Sequence, residues 1–311
     1  MSQIKDTFRF RVGMDENGLG ARLGPMLTTA ILAKTDEQGA KWLQRKLSPA
    51  VAKDLGDSKR LVAFGSHKLG EAWARALHPD AQTPSELLAQ LSSVPQEVLQ
   101  RRCPKRSKAQ CWSTCTEAFV ADDQLVARLH KHLERFAQRG VEIVCARTEV
   151  ICVRQMNEEK DAGGNRFVSD LHAMERLALG LRERAAEDVK VVCGKVGGIA
   201  DYPRFFGPLS GRPRATLRQE RRHSAYQFPG LGELHFVQDA DATDPLVMLA
   251  SMVGKYVREL LMGQISGFYA QHIDGLKSVS GYHDPVTRAF VSQTAVLRKT
   301  RQISHRCFER I

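Results

Sequence analysis

No stretch of the 311 residues reaches the roughly 18 consecutive apolar positions of a membrane-spanning helix, so no membrane role is expected. The opening residues, MSQIKDTFRF, carry charges where a secretory signal has an apolar run, and the expected location is cytoplasmic. A disulfide framework is not expected either. The seven cysteines, at 103, 111, 115, 145, 152, 193 and 307, are odd in number and scattered, and most are expected to be buried thiols. Internal repeats and long low-complexity tracts are lacking, which argues against a solenoid. Acidic residues are in short supply: 35 Asp and Glu face 46 Lys and Arg, leaving a net charge of +11. That imbalance favours a polyanionic partner, nucleic acid first among them. The basic residues concentrate in 100–108, 204–222 and 297–310, segments that read as loops or termini able to follow a line of phosphates.

What is present is ordinary globular material, 42% hydrophobic and 26% charged. FRFRVGMDE alternates Phe8, Phe10, Val12 and Met14 against Arg9, Arg11 and Gly13, the period of a strand with one buried face, and stops at an acidic pair. After the glycine-rich NGLGARLGP, MLTTAILAK reads as a second, antiparallel strand. Residues 66–100 read as mainly helical with a break at 78–84, and 122–138 as an amphipathic helix ending at Gly140. Strand 141–153, helix 166–185 and strand 189–194 form a β-α-β succession. A basic loop over 200–230 carries Arg204, Arg212, Arg214, Arg218, Arg221 and Arg222, and the strand ELHFVQDA follows it. The long helix after it has Asp244 as cap, Pro245 in the first turn and a stripe of Leu246, Leu249, Val253, Tyr256 and Leu260. The expected architecture is one α/β domain over 1–311, a mixed sheet flanked by helices, with a helical insertion at 66–140 and a C-terminal segment at 276–311.

Candidate chemistry begins at Asp15 and Glu16, at a predicted strand end with Gly18 and Gly20 just beyond. Neighbouring strand residues point to opposite faces, so both acids serve one site only if the strand ends or bulges there. A second acidic group, Asp239, Asp241 and Asp244, precedes the long helix. Asp244 is read as an N-cap contributing about 1 kcal/mol, which leaves Asp241 free to face a site. Carboxylates from separate strand ends are the expected construction for a magnesium ion that keeps much of its water.

Four segments in order, VGMDENGLGARLGPMLTTAILA, GDSKRL at 56–61, DADATDPLVMLASMVGKYVREL and SGY at 280–282, resemble ribonuclease HII. The family's opening motif reads roughly Gly-x-Asp-Glu-x-Gly-x-Gly with a Gly-Pro after it. Its later motif sets an aspartate about ten residues before an Ala-Ser step that leads to a lysine. Here that aspartate is Asp241, nine residues before Ala250, with Ser251 and Lys255 following. The resemblance spans about 9–61 and 189–284. It implies a ribonuclease H-like mixed sheet and a metal-dependent endonuclease that cuts RNA in RNA-DNA hybrids or at ribonucleotides embedded in DNA. It further implies Mg2+ or Mn2+ held by Asp15, Glu16 and Asp241, which would be the catalytic set, and Lys59 near the site or a phosphate. The backbone of Gly18, Leu19 and Gly20 would approach the ribose 2′-hydroxyl, and Tyr282 would stack near the sugar.

The chain departs from the family at three places. Asn17 and Leu19 stand where the common pattern has a small residue and an arginine. After VKVVC the family carries an aspartate, and that place falls here on Gly194 or Cys193. The metal set is then incomplete unless Asp201 or Asp239 reaches in, and the alternative reading is a nucleic-acid-binding relative with weakened or lost catalysis. Cys103, Cys111 and Cys115 lack a CxxC pair, so a zinc site is not the favoured reading, and GKVGG at 194–198 reads as a turn rather than a phosphate loop.

Overall fold

The alternation around Val12 builds the centre of the molecule. In a computed structural model describing residues 8–62, 64–112, 118–195 and 199–311, strand β1 (Phe10–Asn17) lies in the middle of a seven-stranded mixed sheet. Antiparallel β2 (Met26–Thr35) and β3 (Val141–Ile151) extend the sheet on one side. On the other side come β4 (Val189–Gly194) and β7 (Gly232–Val237), both parallel to β1, then antiparallel β6 (His223–Phe228) and β5 (Ala215–Gln219). The spatial order is β3-β2-β1-β4-β7-β6-β5. The chain thus crosses over from the β3 edge to place β4 beside β1.

Between β2 and β3 the described residues form eight helices: α1 (Glu37–Trp42), α2 (Pro49–Ala52), α3 (Ser58–Leu61), α4 (Lys68–Leu77), α5 (Pro84–Leu91), α6 (Gln96–Arg101), α7 (Lys105–Trp112) and α8 (Asp123–Gln138). Helices α9 (Val153–Asp161) and α10 (Arg166–Ala185) connect β3 to β4, and α11 (Ala240–Thr243) leads into the long α12 (Pro245–Ala270). The chain ends in α13 (Pro285–Gln293), α14 (Ala295–Thr300) and α15 (His305–Phe308). Asp244 caps α12 by accepting from the Leu246 and Val247 amides at 2.8 and 3.1 Å. None of the described helices is long and apolar enough to cross a membrane.

Both faces of the sheet are covered. Leu171, Met174, Leu177 and Leu181 of α10 pack on Val12, Met14, Val191 and Phe236. On the opposite face α12 joins α4, α5 and α8 in a cluster that includes Leu27, Ile31, Trp73, Leu129 and Val253. Burying each such side chain stabilises the fold by about 1.5–3 kcal/mol. Gly13 permits a close approach of α12 to β1, since a Cβ there would run into the backbone of Leu246 and Val247.

Four local expectations change. Strand β1 has two buried faces rather than one, so Arg11, Asp15 and Asn17 are buried along with the apolar residues. It continues past the acidic pair to Asn17 in unbroken register with β2. Helix α12 carries more than one stripe, because the C-terminal helices cover its last turns, where Met262, Ile265, Phe268 and Tyr269 meet Phe290 and Phe308. The basic segments are also more ordered than loops: 100–108 contributes to α6 and α7, 297–310 to α14 and α15, and the 200–230 loop holds β5 and β6. Strand β5 is exposed at every position, so its hydrogen bonds to β6 order it without a buried face to betray it in the sequence.

Candidate active site

The site forms where the sheet opens. Ladder pairs between β1 and β4 end with Met14 opposite Cys193, whereas β1 continues with β2 as far as Asn17 opposite Leu27. The last residues of β1 therefore border a gap, and no bulge is needed to bring both acids to it. Asp15 faces α12, where the Ser251 side chain hydrogen-bonds to it. Glu16 lies on the other face with its cross-strand neighbour Thr28, whose hydroxyl donates to Asp170 Oδ1 of α10 at 2.9 Å.

These carboxyls share a poorly solvated region. Burial pushes Asp15 well above the usual carboxylate range, and the negative charges of Glu16 and Asp241 add to the shift against the pull of Ser251 and Lys59. Glu16 is pushed up to about 8, first by burial and then by Asp170. Asp170, fully buried, is raised to about 7 by burial, with the Thr28 hydroxyl opposing and Asp15 reinforcing. Its Oδ2 has no hydrogen-bond partner among the described residues.

The remaining parts are held by struts. Asp57 accepts from the Lys59 amide at 2.9 Å and caps the short α3. Ser58 and Ser251 share a hydroxyl hydrogen bond of 2.7 Å, and Lys255 Nζ donates to the carbonyls of Ser58 and Val62 at 2.6 and 3.1 Å. The Ser251 and Lys255 positions thus fasten the turn that presents Lys59, whose Nζ stands 3.7 Å from Asp241 Oδ2. Gly18 adopts φ +90° with Arg258 so close that a Cβ would strike its guanidinium. Arg258 also donates to Ser280 O at 2.8 Å, and its guanidinium carbon lies 4.8 Å from the Tyr282 ring centroid. Arg310 donates to the carbonyls of Gly18 and Gly24 from the far end of the chain.

One cleft of about 460 Å³ results, and Asp15, Glu16, Gly18, Leu19, Gly20, Lys59, Asp241 and Tyr282 all line it. Asp201 and Asp239 do not. Asp201 is 3.9 Å from Arg204, and Asp239, in the left-handed region at φ +56°, sets the turn into α11. Gly194 rather than Cys193 occupies the site side. A Cβ built on Gly194 would lie 3.3 Å from Asp15 Oδ1, whereas Cys193 is fully buried in the cluster beneath α10. The further acid coupled to the pair is Asp170, which does not line the cleft and which sequence reasoning missed. Its signal was legible: it interrupts the 170, 174, 177, 181 stripe of α10 with a carboxylate where Met174, Leu177 and Leu181 are apolar.

Among the described residues, no group of three or more His, Cys, Asp or Glu side chains is drawn together to hold a metal ion. The carboxylates surround the cleft instead of enclosing a point. Their chemistry still fits a hard divalent ion of the kind that takes one or two protein carboxylates and fills its other positions with water and substrate oxygens. Every donor is oxygen, and the acids carry like charge that a cation would offset. Of the sequence-level zinc candidates, Cys103 and Cys111 lie together with Cys152 and Cys307, while Cys115 falls outside the described residues. Residues 196–198 of GKVGG are also outside them.

No protein-family model matches the chain, and no curated protein matches it. Solved structures similar to it include a chain of the PCNA:RNase HII complex from Archaeoglobus fulgidus, with 15% identity, 97% of this chain and 94% of that chain covered, and a TM-score of 0.44. Bst-RNase HIII in complex with Mn2+ is similar at 12% identity, 99% and 70% coverage and a TM-score of 0.48. Ribonuclease H2 from Pyrococcus horikoshii OT3 is similar at 14% identity, 96% and 92% coverage and a TM-score of 0.44.

Proposed function

We propose that this chain is a divergent ribonuclease HII-like endonuclease that hydrolyses the RNA strand of RNA-DNA hybrids, or DNA strands at embedded ribonucleotides, with Mg2+ or Mn2+. One observation carries the reading: the four segments that resemble the family's motifs, scattered over most of the chain, all deliver residues to a single cleft.

Asp15, Glu16 and Asp241 would hold the divalent ion, which when bound activates the attacking water and stabilises the leaving oxygen. Lys59 offsets the charge of Asp241 and stands ready for a phosphate, 80% of its side chain being exposed. The Gly18–Gly20 turn brings backbone rather than side chains to the ribose 2′-hydroxyl, the group that separates RNA from DNA. Tyr282, 43% exposed and steadied by Arg258, packs against the sugar at the junction. The six exposed arginines of 204–222 supply contacts to the phosphate backbone outside the cleft.

A second reading, a binding module that has lost efficient catalysis, is favoured by Gly194, which brings no carboxylate to the gap beside Asp15. The two separate in one assay. A duplex containing a single embedded ribonucleotide is incubated with the unmodified chain and Mg2+ or Mn2+, alongside Asp15→Asn. Cleavage that the variant loses by at least about 100-fold, more than loss of an outer-shell partner costs, supports the enzyme. Tight binding without cleavage supports the module.

A further inference from the structure

A cluster of four cysteines lies away from the cleft. Cys103 (between α6 and α7), Cys111 (in α7), Cys152 (the residue before α9) and Cys307 (in α15) line an apolar cavity of about 30 Å³ with Trp112 and Leu261. The four thiols are not equivalent. Cys152 Sγ accepts from the Gln155 amide at 3.4 Å as the cap of α9, and burial pushes its thiol up. Burial likewise pushes up Cys307. Cys103 is half-buried, and its Sγ accepts from Trp112 Nε1 at 3.3 Å and from the Cys111 thiol. The charges facing it are Lys108 of α7 and Arg154 of α9, the latter paired with Glu158 at 2.6 Å.

We propose that Cys103 is a nucleophilic thiolate that reacts with hydrogen peroxide, and that Cys111 resolves the product as a Cys103–Cys111 disulfide. Two donors and two cations favour negative charge on Cys103 sulfur, which lowers its thiol to about 6, chiefly through the Cys111 hydrogen bond. Cys111 is raised by the same bond and by the neighbouring negative sulfur, so the pair holds one proton between them. Attack on a peroxide oxygen forms the S–O bond, breaks O–O, and releases hydroxide that is protonated to water. Cys103 is then a neutral sulfenic acid, and the repulsion that disfavoured a Cys111 thiolate is gone. Cys111 sulfur attacks Cys103 sulfur, the S–S bond forms, S–O breaks, and the hydroxide leaves with the Cys111 proton as water. Two thiols are oxidised by two electrons and one peroxide becomes two waters. The proposal is independent of the nuclease reading.

The test uses the reduced full chain, hydrogen peroxide and peptide mapping by mass spectrometry. The expected product is a Cys103–Cys111 link with loss of two hydrogens. Cys111→Ser is expected to stop at a sulfenic acid on Cys103 that dimedone traps, and Cys103→Ser to abolish oxidation at Cys111. Iodoacetamide should label Cys103 ahead of the other cysteines at pH 7, with an inflection near 6. Trp112→Phe, which keeps the ring and removes the donor, should shift that inflection upward without loss of fold. Equal labelling of all cysteines, a peroxide product that links Cys103 to another partner, or stoichiometric Zn2+ binding that protects all four thiols would each overturn it.

Discussion

Thr28 stands directly opposite Glu16 on the β1–β2 ladder and donates through its hydroxyl to Asp170 Oδ1 at 2.9 Å. This bond ties a third structural layer to the acidic pair, since Asp170 comes from α10 and leaves its second oxygen without a partner among the described residues. Asp170→Asn preserves the acceptor for Thr28 and removes the charge. Mn2+ affinity measured by titration calorimetry is expected to fall about 10–100-fold, the usual scale for an outer-shell partner. Thermal unfolding of the metal-free protein at pH 8 should rise, because one of several crowded negative charges has gone. Unchanged affinity together with unchanged unfolding would separate Asp170 from the site.

Gly194→Asp is expected to raise the cleavage rate on an embedded-ribonucleotide duplex, since the added side chain starts 3.3 Å from Asp15 Oδ1 and needs its neighbour to give by only a few tenths of an ångström. Cys193→Asp serves as the opposite case. Its carboxylate would enter the fully buried cluster under α10, where an uncompensated charge costs about 3–5 kcal/mol. A rate gain from the 193 variant and none from the 194 variant would reverse the assignment of faces.

The pH dependence follows from the raised carboxyls. In the folded chain Glu16 titrates near 8 and Asp170 near 7, against ordinary values of 4.5 and 3.8. The folded state therefore binds more protons than the unfolded chain across that window. Their contribution is fully present below about pH 4 and is lost as pH rises through about 7–8. Metal-free thermal unfolding should fall over this range, and Glu16→Gln should flatten the fall. Ion binding displaces these protons, so Mn2+ affinity should strengthen from pH 6 to 9 with measurable proton release. A flat profile in both measurements would contradict the coupling.

Net charge predicts a steep salt effect. If six to ten phosphates are neutralised, affinity for an RNA-DNA duplex should drop by about 10³–10⁵ between 50 and 200 mM salt. Replacing Arg218, Arg221 and Arg222 with alanine should reduce the slope of log affinity against log salt by about one per lost phosphate contact. A slope unaffected by these exposed residues would place the contact surface elsewhere.

The sequence alone determined the elements whose pattern is local. The 166–185 and 123–138 helices, the 189–194 strand and the Asp244–Pro245 start of α12 each follow from spacing, caps and periodicity, and each lies where these place it. Motif order also singled out eight cleft residues, because Gly18, Lys59, Asp241 and Tyr282 belong to short segments recognisable without their neighbours in space. Tertiary structure decided the rest. Strand β5 owes its order to pairing with β6, and the two buried faces of β1 depend on helices from distant parts of the chain. Whether Gly194 or Cys193 faces Asp15 depends on parallel register, which a one-residue slip would invert. The α10 stripe marks Asp170 as out of pattern, but its coupling to Glu16 was decided only when α10 crossed the sheet, since burial and like-charge repulsion depend on distances in space that spacing along the chain does not encode.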